Sequence, residues 1–385
     1  MLRIGYDSRA VFGNFAGPGS YSRTLLYNLA EYFPDNAYFL FTNQLQKSPE
    51  TSFFLSSALY NVQTPRHRAF QSLWPIFGVR RELRKKKVQL YHGLNQEIPY
   101  ALHKEGIQSV ATVHDLAFRR FPEQYTLQQR LLLNLKLRYI CRHADHIIAT
   151  SKSTKEELMH FYEVQEERIS VIYQSCHERF MQETSQKTRE GVRNRYNLPE
   201  EYLLSVGALT PRKNLLGAIR AIALLPPSDR LPLVVVGRGG SYKKYIQEAA
   251  KRLGLAALIR FAEVRFDDLP AVYQGARMLL YPSFYEGFGI PILEAQFSQV
   301  PVLTSNTASL PEAGGPGALL TDPNNPEAIR DGIAKILGDE AYRLQLVQAG
   351  FEHAQQFLGG PLSQQMMSLY EKLIGQEYLS PEPIT

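Results

Sequence analysis

Short apolar runs alternate with longer amphipathic stretches along this chain, and the series occurs twice. Residues 2–6, 37–42, 89–92, 109–113 and 146–150 form the first set of runs, with amphipathic stretches such as 21–32 and 126–142 between them. A second set follows at 202–206, 232–236, 258–261, 278–281 and 300–303, interleaved with helical periodicity over 215–225, 242–253 and 290–299. Parallel strands need a crossover, usually a helix, so this alternation predicts two parallel sheets with helices on both faces. The polar segment 181–199 between the two series is the linker expected from composition. We therefore expect an N-terminal α/β domain over 1–185, a second over 186–365, and a C-terminal helix and tail over 366–385 that packs back on the first. Ligands of such sheets bind beyond the carboxyl ends of the strands, so the loops that follow strands carry the function. The stretch 377–385, with two prolines, is expected to fray.

A length of 385 residues suits two domains of about 100–200 residues each. No run of about 18 apolar residues is present, which excludes a spanning helix. The start, MLRIGYDSRAV, breaks its apolar run with charge at once and does not resemble a secretory leader. Two cysteines, Cys141 and Cys176, lack disulfide-framework or metal spacing, so a reducing, cytoplasmic setting is expected. The net charge of +6 points to an anionic partner. Cations concentrate in RRELRKKK at 80–87 and again along 119–142. A solvated helix face explains such runs as well as a binding surface does. With the amphipathic 126–142 stretch they raise the expectation of peripheral contact with an anionic membrane face. No nucleic-acid motif accompanies the charge, so nucleic acid is not an expected partner.

Five loops carry residues suited to chemistry. YPSFYEGFGIPILEAQ, residues 281–296, places Gly287, Phe288, Gly289 and Ile290 between a strand and a helix, with Pro291 in the first helical turn. Glycines ahead of a helix N-terminus leave backbone N–H groups for an anion. Glu286 stands before them, and Glu294 lies in the first turns, where a carboxylate can accept hydrogen bonds from vicinal ribose hydroxyls. A helix cap with a favourably placed acid is the plainer reading. VGALTPRKNL, 206–215, puts Arg212 and Lys213 at the front of a helix, a pair suited to a pyrophosphate or simply an exposed basic turn. FAGPGSYSRTLL, 15–26, carries Gly17 and Gly19 between the first strand and first helix, but is neither a Walker loop nor a dinucleotide fingerprint. VATVHDL, 110–116, ends a strand with His114 and Asp115; a lone histidine is more often structural. VVVGRGG, 234–240, follows a strand with Gly237, where a tight turn alone would also explain the glycines. No Asp-x-Asp pair occurs, so no metal ligands for donor phosphates are evident, and there is no hydrolase elbow or zinc-protease motif.

Taken together these motifs resemble the retaining GT-B glycosyltransferases of the group 1 (family 4) type. Glu286 and Glu294 around GFGIPIL are similar to that family's Glu-x7-Glu signature. The glycine loop, the His-Asp pair, the Arg-Lys-Asn turn and SNTASLPEAGG (305–315) follow in family order. The resemblance implies two Rossmann-like domains facing across a cleft, with a nucleotide-diphosphate sugar held mainly by the second. It implies that Arg212 and Lys213 hold the diphosphate. Backbone amides of 287–290 would meet the sugar or its phosphate, Glu294 the ribose, and Glu286 and His114 the sugar. Gly17 and Gly19 would approach phosphates or acceptor, and Gly237 and Val264 join the candidates for donor binding, Val264 at the base contact. Two positions depart from the pattern: Ala208 stands where relatives carry arginine, and Phe261-Ala262-Glu263-Val264 lacks the usual glycine before the base-contacting residues.

The reaction so implied is hexosyl transfer with retention, without a cofactor or metal, the nucleotide sugar being a co-substrate. The leaving phosphate would itself take the acceptor's proton, and Glu286 is not read as a nucleophile. SNTASLPE is similar to mannosyltransferases of surface-polysaccharide synthesis. Guanosine-diphosphate mannose is therefore the expected donor, uridine-diphosphate sugars come second, and a glycan or lipid-linked molecule is the acceptor. A catalytically silent nucleotide-sugar-binding subunit and a nucleotide-sugar epimerase are the alternatives.

Overall fold

The computed structural model of the protein describes residues 1–14, 17–65, 74 and 78–377. The stretch after Glu377, expected to fray, lies outside the described residues, as does Phe15 of the first glycine loop. The chain divides into two compact units: Met1–Ser175 with the chain from Phe357 onward, and Cys176–Gln356. These divisions fall about ten residues before the expected boundaries at 185 and 365.

In the first unit seven strands form one parallel sheet: β1 (Arg3–Asp7), β2 (Ala37–Phe41), β3 (Tyr60–Gln63), β4 (Leu90–Gly93), β5 (Gln108–Val113), β6 (His146–Ala149) and β7 (Ile169–Val171). Their order is β3-β2-β1-β4-β5-β6-β7. The second unit has six parallel strands: β8 (Leu203–Val206), β9 (Leu233–Val236), β10 (Ile259–Ala262), β11 (Met278–Tyr281), β12 (Val302–Ser305) and β13 (Ala318–Thr321). Their order, β10-β9-β8-β11-β12-β13, repeats the first six places of the other sheet. Each sheet therefore winds one way from its first strand and then the other. The winding reverses between β1 and β4, and between β8 and β11, where a doubly wound sheet opens a crevice.

The central strands form where the sequence is most apolar. LVVV of β9 and MLLY of β11 are buried along their whole length. Leu203, Leu233, Val235, Met278 and Leu280 pack with Leu215, Ile219 and Ile222 of the following helix, Leu215–Leu224. In the first unit Ala111, Val113, Ile147 and Ala149 pack against Leu137 and Ile140 of the helix Leu127–His143. Thr126 caps that helix, accepting from the Gln129 N–H while the Gln129 side chain returns to the cap. The C-terminal helix Gly359–Glu377 belongs to the first unit, where the Tyr370 hydroxyl lies 2.6 Å from Nδ1 of His92.

One expectation is overturned. The supposed linker at 181–199 is mostly the helix Gln186–Tyr196, capped by Ser185, and it belongs to the second unit. It looks like a linker because only Val192 is buried on it. Polar bonds hold its surroundings instead: Thr184 donates to Gln274 at 2.6 Å and the Tyr196 hydroxyl to Asp268 at 2.6 Å.

Candidate functional site

The crevice position of the second unit is built by the loops after β8 and β11. After β8 the chain passes Gly207, at φ +137°, and turns through Pro211–Lys213. Asn214, at φ 53°, then caps the helix Leu215–Leu224 by accepting from the Gly217 N–H at 3.1 Å. Its amide donates to the Pro282 carbonyl at 3.0 Å and the Pro323 carbonyl at 2.7 Å. The Phe284 N–H donates to the Arg212 carbonyl at 2.9 Å. The turn that carries both cations is thereby pinned to the loop that carries the acid.

Arg212, Lys213 and Glu286 meet there. The Arg212 guanidinium lies 2.9 Å from one Glu286 oxygen and also donates to the Tyr285 carbonyl. Lys213 Nζ lies 2.6 Å from the other oxygen and donates to the Tyr281 hydroxyl at 2.5 Å. Glu286 is buried. Burial alone would raise its pKa, but the Lys213 and Arg212 charges overcome it and hold the carboxyl at about 2. The group is thus a fixed anion at neutral pH, able to accept hydrogen bonds and unable to donate a proton. Two cations against one anion leave the trio with a net charge of +1, which suits a further anionic ligand.

The glycine loop runs from this trio into the helix Ile290–Phe297, with Pro291 in its first turn. Gly289 has φ +124°, a conformation closed to most side-chain-bearing residues, and this lets the chain turn into the helix. The buried Ser309 hydroxyl braces the loop against the Glu286 carbonyl at 2.8 Å and the Phe288 carbonyl at 2.9 Å. Thr307 bonds the Phe284 carbonyl at 3.0 Å and Thr304 that of Tyr281 at 2.9 Å. SNTASLPEAGG thus acts partly as a clamp on its neighbour loop. Glu294 follows on the helix, buried, and accepts from the Tyr273 hydroxyl at 2.6 Å. Burial pushes its pKa up to about 7 against that hydrogen bond. The two glutamates of one motif therefore differ in charge: Glu286 is ionised, and Glu294 is poised.

Other expected residues lie on other loops. A Cβ on Gly237 would lie 1.8 Å from the Gly207 carbonyl oxygen, so that glycine is required for β9 to pass the end of β8. Val264 follows β10, the edge strand two places from β8. In the first unit, Gly17 and Gly19 open the helix Gly17–Tyr32. A Cβ on Gly19 would meet the Asn14 carbonyl oxygen at 1.7 Å, whereas one on exposed Gly17 would meet nothing. Close packing explains Gly19, and Gly17 has no such requirement within the fold.

Tyr21 of the same helix packs edge-on against the buried His114 ring at 4.9 Å. One His114 nitrogen, Nε2, lies 2.8 Å from the Leu94 carbonyl, and Nδ1 lies 3.3 Å from the Gln174 amide. Burial lowers the His114 pKa, so the ring is neutral, donating to Leu94 and accepting from Gln174. Both ring nitrogens thus have partners within the first unit.

Sequence reasoning also missed a second ion cluster, at the β1/β4 crevice. Arg9 lies 2.5 Å from both Asp7 and Glu97, and Glu97 also pairs with Lys136. Its members come from three separated segments, so no local motif announces them. Among the described residues no group of three or more His, Cys, Asp or Glu is arranged to hold a metal ion.

Comparison with known proteins identifies the family. The family described as "Glycosyl transferases group 1" matches residues 187–353, and "Glycosyltransferase Family 4" matches residues 23–175. The chain is 32% identical over 295 residues to the O-antigen chain mannosyltransferase B of Escherichia coli, covering 76% of each protein. It is 32% identical over 214 residues to the serotype-specific mannosyltransferase WbdA of Escherichia coli, matching 53% of this chain and only 26% of that longer one. HepE of Anabaena, solved in complex with UDP and glucose, superposes with a TM-score of 0.74 at 18% identity, covering 96% of this chain and 100% of that one.

Proposed function

This chain belongs to the group 1 glycosyltransferases and has their GT-B fold, and on that premise we propose that it transfers a hexose with retention from a nucleotide-diphosphate donor. The donor of choice is guanosine-diphosphate mannose, since a relative covered over three quarters of its length is an O-antigen mannosyltransferase. The acceptor is a glycan or a lipid-linked glycan. The observation that carries the reading is the trio of Arg212, Lys213 and buried Glu286 at the β8/β11 crevice, beside the glycine loop.

The chemistry follows from charge. As the bond between the anomeric carbon and the donor phosphate oxygen breaks, negative charge grows on the diphosphate. Arg212, Lys213 and the N-terminus of Ile290–Phe297 offer fixed positive potential there, without reorganisation at the moment of reaction. The acceptor hydroxyl oxygen bonds to the anomeric carbon on the same face, and its proton passes to the departing phosphate oxygen. Glu286 holds both cations in register and presents an ionised acceptor to a sugar hydroxyl. Glu294, one turn into the helix, takes the ribose hydroxyls. No cofactor enters this scheme, and the chain's own cations offset part of the phosphate charge.

Replacing Lys213 and Glu294 separately by Ala, with donor consumption followed in the presence of acceptor, tests the site. The Lys213 change should slow turnover by about a hundredfold, the usual cost of losing one preorganised charge-stabilising group, and the Glu294 change should weaken donor binding and so lower turnover at limiting donor. Undiminished turnover in both variants overturns the assignment. A melting-temperature panel of nucleotide sugars tests the donor, since a ligand of the folded state raises the midpoint. Donor binding without any transfer would instead support a silent binding subunit.

A further inference from the structure

We propose that the first unit docks on an anionic lipid bilayer through one face of the helix Leu127–His143. Leu137 and Ile140 bury the inner face of this helix. The outer face carries Leu127, Leu131 and Leu135, four residues apart and therefore in line, with Leu132 beside them. Their exposures are 78%, 62%, 54% and 54% for Leu127, Leu131, Leu132 and Leu135. A single exposed leucine needs no explanation, but four grouped on two turns do. Arg138 and Arg142, both exposed, continue the same line three and seven residues after Leu135. An apolar stripe that runs into arginines is the pattern of a helix lying in a membrane interface, its leucines toward the acyl chains and its cations at phosphates.

Neighbouring elements extend the surface. Tyr139 stacks on Tyr100 at 5.7 Å, and Tyr100 is 52% exposed; tyrosines favour the headgroup level. His143 stacks on His103 at 5.8 Å, on the turn Leu102–Glu105. Glu105 of that turn pairs with Arg80 and Arg84, which joins the basic helix Val79–Lys85 to the same region. Arg81 and Lys85 of that helix remain exposed. The combination selects the occupant. A second copy docked face to face would set these cations against their own kind. A nucleic acid has no use for the leucines. An anionic bilayer satisfies both.

The experiment is co-sedimentation of the full chain with vesicles of phosphatidylcholine alone, or of phosphatidylcholine with about one third phosphatidylglycerol, at low and near-physiological salt. Binding should need the anionic lipid and weaken with salt. The double variant Leu131→Gln/Leu135→Gln should bind at least about tenfold more weakly. It should still turn over donor with a water-soluble acceptor, so that loss of docking and loss of the proposed activity read out separately. Circular dichroism of the variant confirms that it is folded. Wild-type protein that stays in the supernatant with anionic vesicles, or a variant that binds as wild type does, overturns the proposal. So does a wild-type dimer in sedimentation velocity that the double variant dissolves, since the face would then be covered by a second copy.

Discussion

Glu294 offers the sharpest test of the site, because its charge depends on pH in a range where few other carboxylates titrate. Its ordinary value of 4.5 is displaced by burial to about 7. A pKa higher in the folded than in the unfolded state means that protonation favours folding. The stabilisation is complete below about pH 4.5 and is lost as the pH rises through about 7. At about 1.4 kcal/mol per pH unit, the full displacement is worth roughly 3 kcal/mol, of which about 2–3 kcal/mol falls between about pH 5 and pH 8. Glu294→Gln removes the titration while keeping an oxygen to accept from Tyr273. The variant should therefore gain on wild type by about 2–3 kcal/mol as the pH is raised over that interval. Urea unfolding of both proteins at each pH measures it, and comparing the two cancels every other titrating group. A difference that stays flat across the interval refutes the reasoning about burial.

Under the proposed function the same group links pH to the donor. Ribose hydroxyls donating to Glu294 require its carboxylate, so donor binding should release a proton below about pH 7. Affinity should then fall about tenfold between about pH 8 and pH 6 in wild type. Glu294→Gln should show no such slope. If wild type also binds its nucleotide sugar equally at both pH values, Glu294 is a buried structural acid and the ribose assignment is lost.

The remaining predictions concern the frame around the trio. Ser309→Ala strands the Glu286 and Phe288 carbonyls and should cost about 1–3 kcal/mol in urea unfolding; donor affinity should weaken alongside, whereas an unchanged midpoint would show the brace to be idle. Asn214→Ala removes a helix cap and two buried bonds at once, and should cost more than a simple cap loss of about 1 kcal/mol. Gly237→Ala sets a methyl against the Gly207 carbonyl and should lower the melting temperature sharply, whereas Gly17→Ala, which meets nothing in the fold, should leave it unchanged and affect only ligand binding.

Much of this fold is legible in the chain, and the residues that are not share a physical reason. Central strands such as Leu233–Val236 announce themselves because burial on both faces leaves no polar residue in them. The strands Tyr60–Gln63, Ile169–Val171 and Ala318–Thr321 escape notice because all three sit at sheet edges, are three or four residues long and are only partly buried. The helix Gln186–Tyr196 escapes because a peripheral helix with a single buried residue has the composition of a linker. At the site, the acids, the glycines and the two cations are local motifs and so can be read. Their pairing spans 74 positions between Arg212 and Glu286, and it follows from the order of the strands, which brings β8 beside β11. Ser309 and Asn214 fall inside motifs that can be read, but their bonds to the carbonyls of Glu286, Phe288, Pro282 and Pro323 cannot, because backbone acceptors carry no sequence signal.

The two units share that strand order and differ in the ions gathered where it reverses. Each unit bridges its crevice with ions drawn from the loops after its first and fourth strands, Arg9 with Glu97 in one, Arg212 and Lys213 with Glu286 in the other. In the first unit Asp7 and Lys136 complete the cluster, and two acids meet two bases with no charge left over. Burial opposes the charge on Glu97, yet Arg9 and Lys136 still hold its pKa low, so that carboxylate stays ionised. In the second unit one acid meets two bases. The trio's excess charge lies beside the glycine loop and helix N-terminus of the second crevice, whereas the ion cluster described at the first carries no net formal charge. The formal charge excess of the Arg212, Lys213 and Glu286 trio is the ground on which the proposed function places the nucleotide in the C-terminal unit.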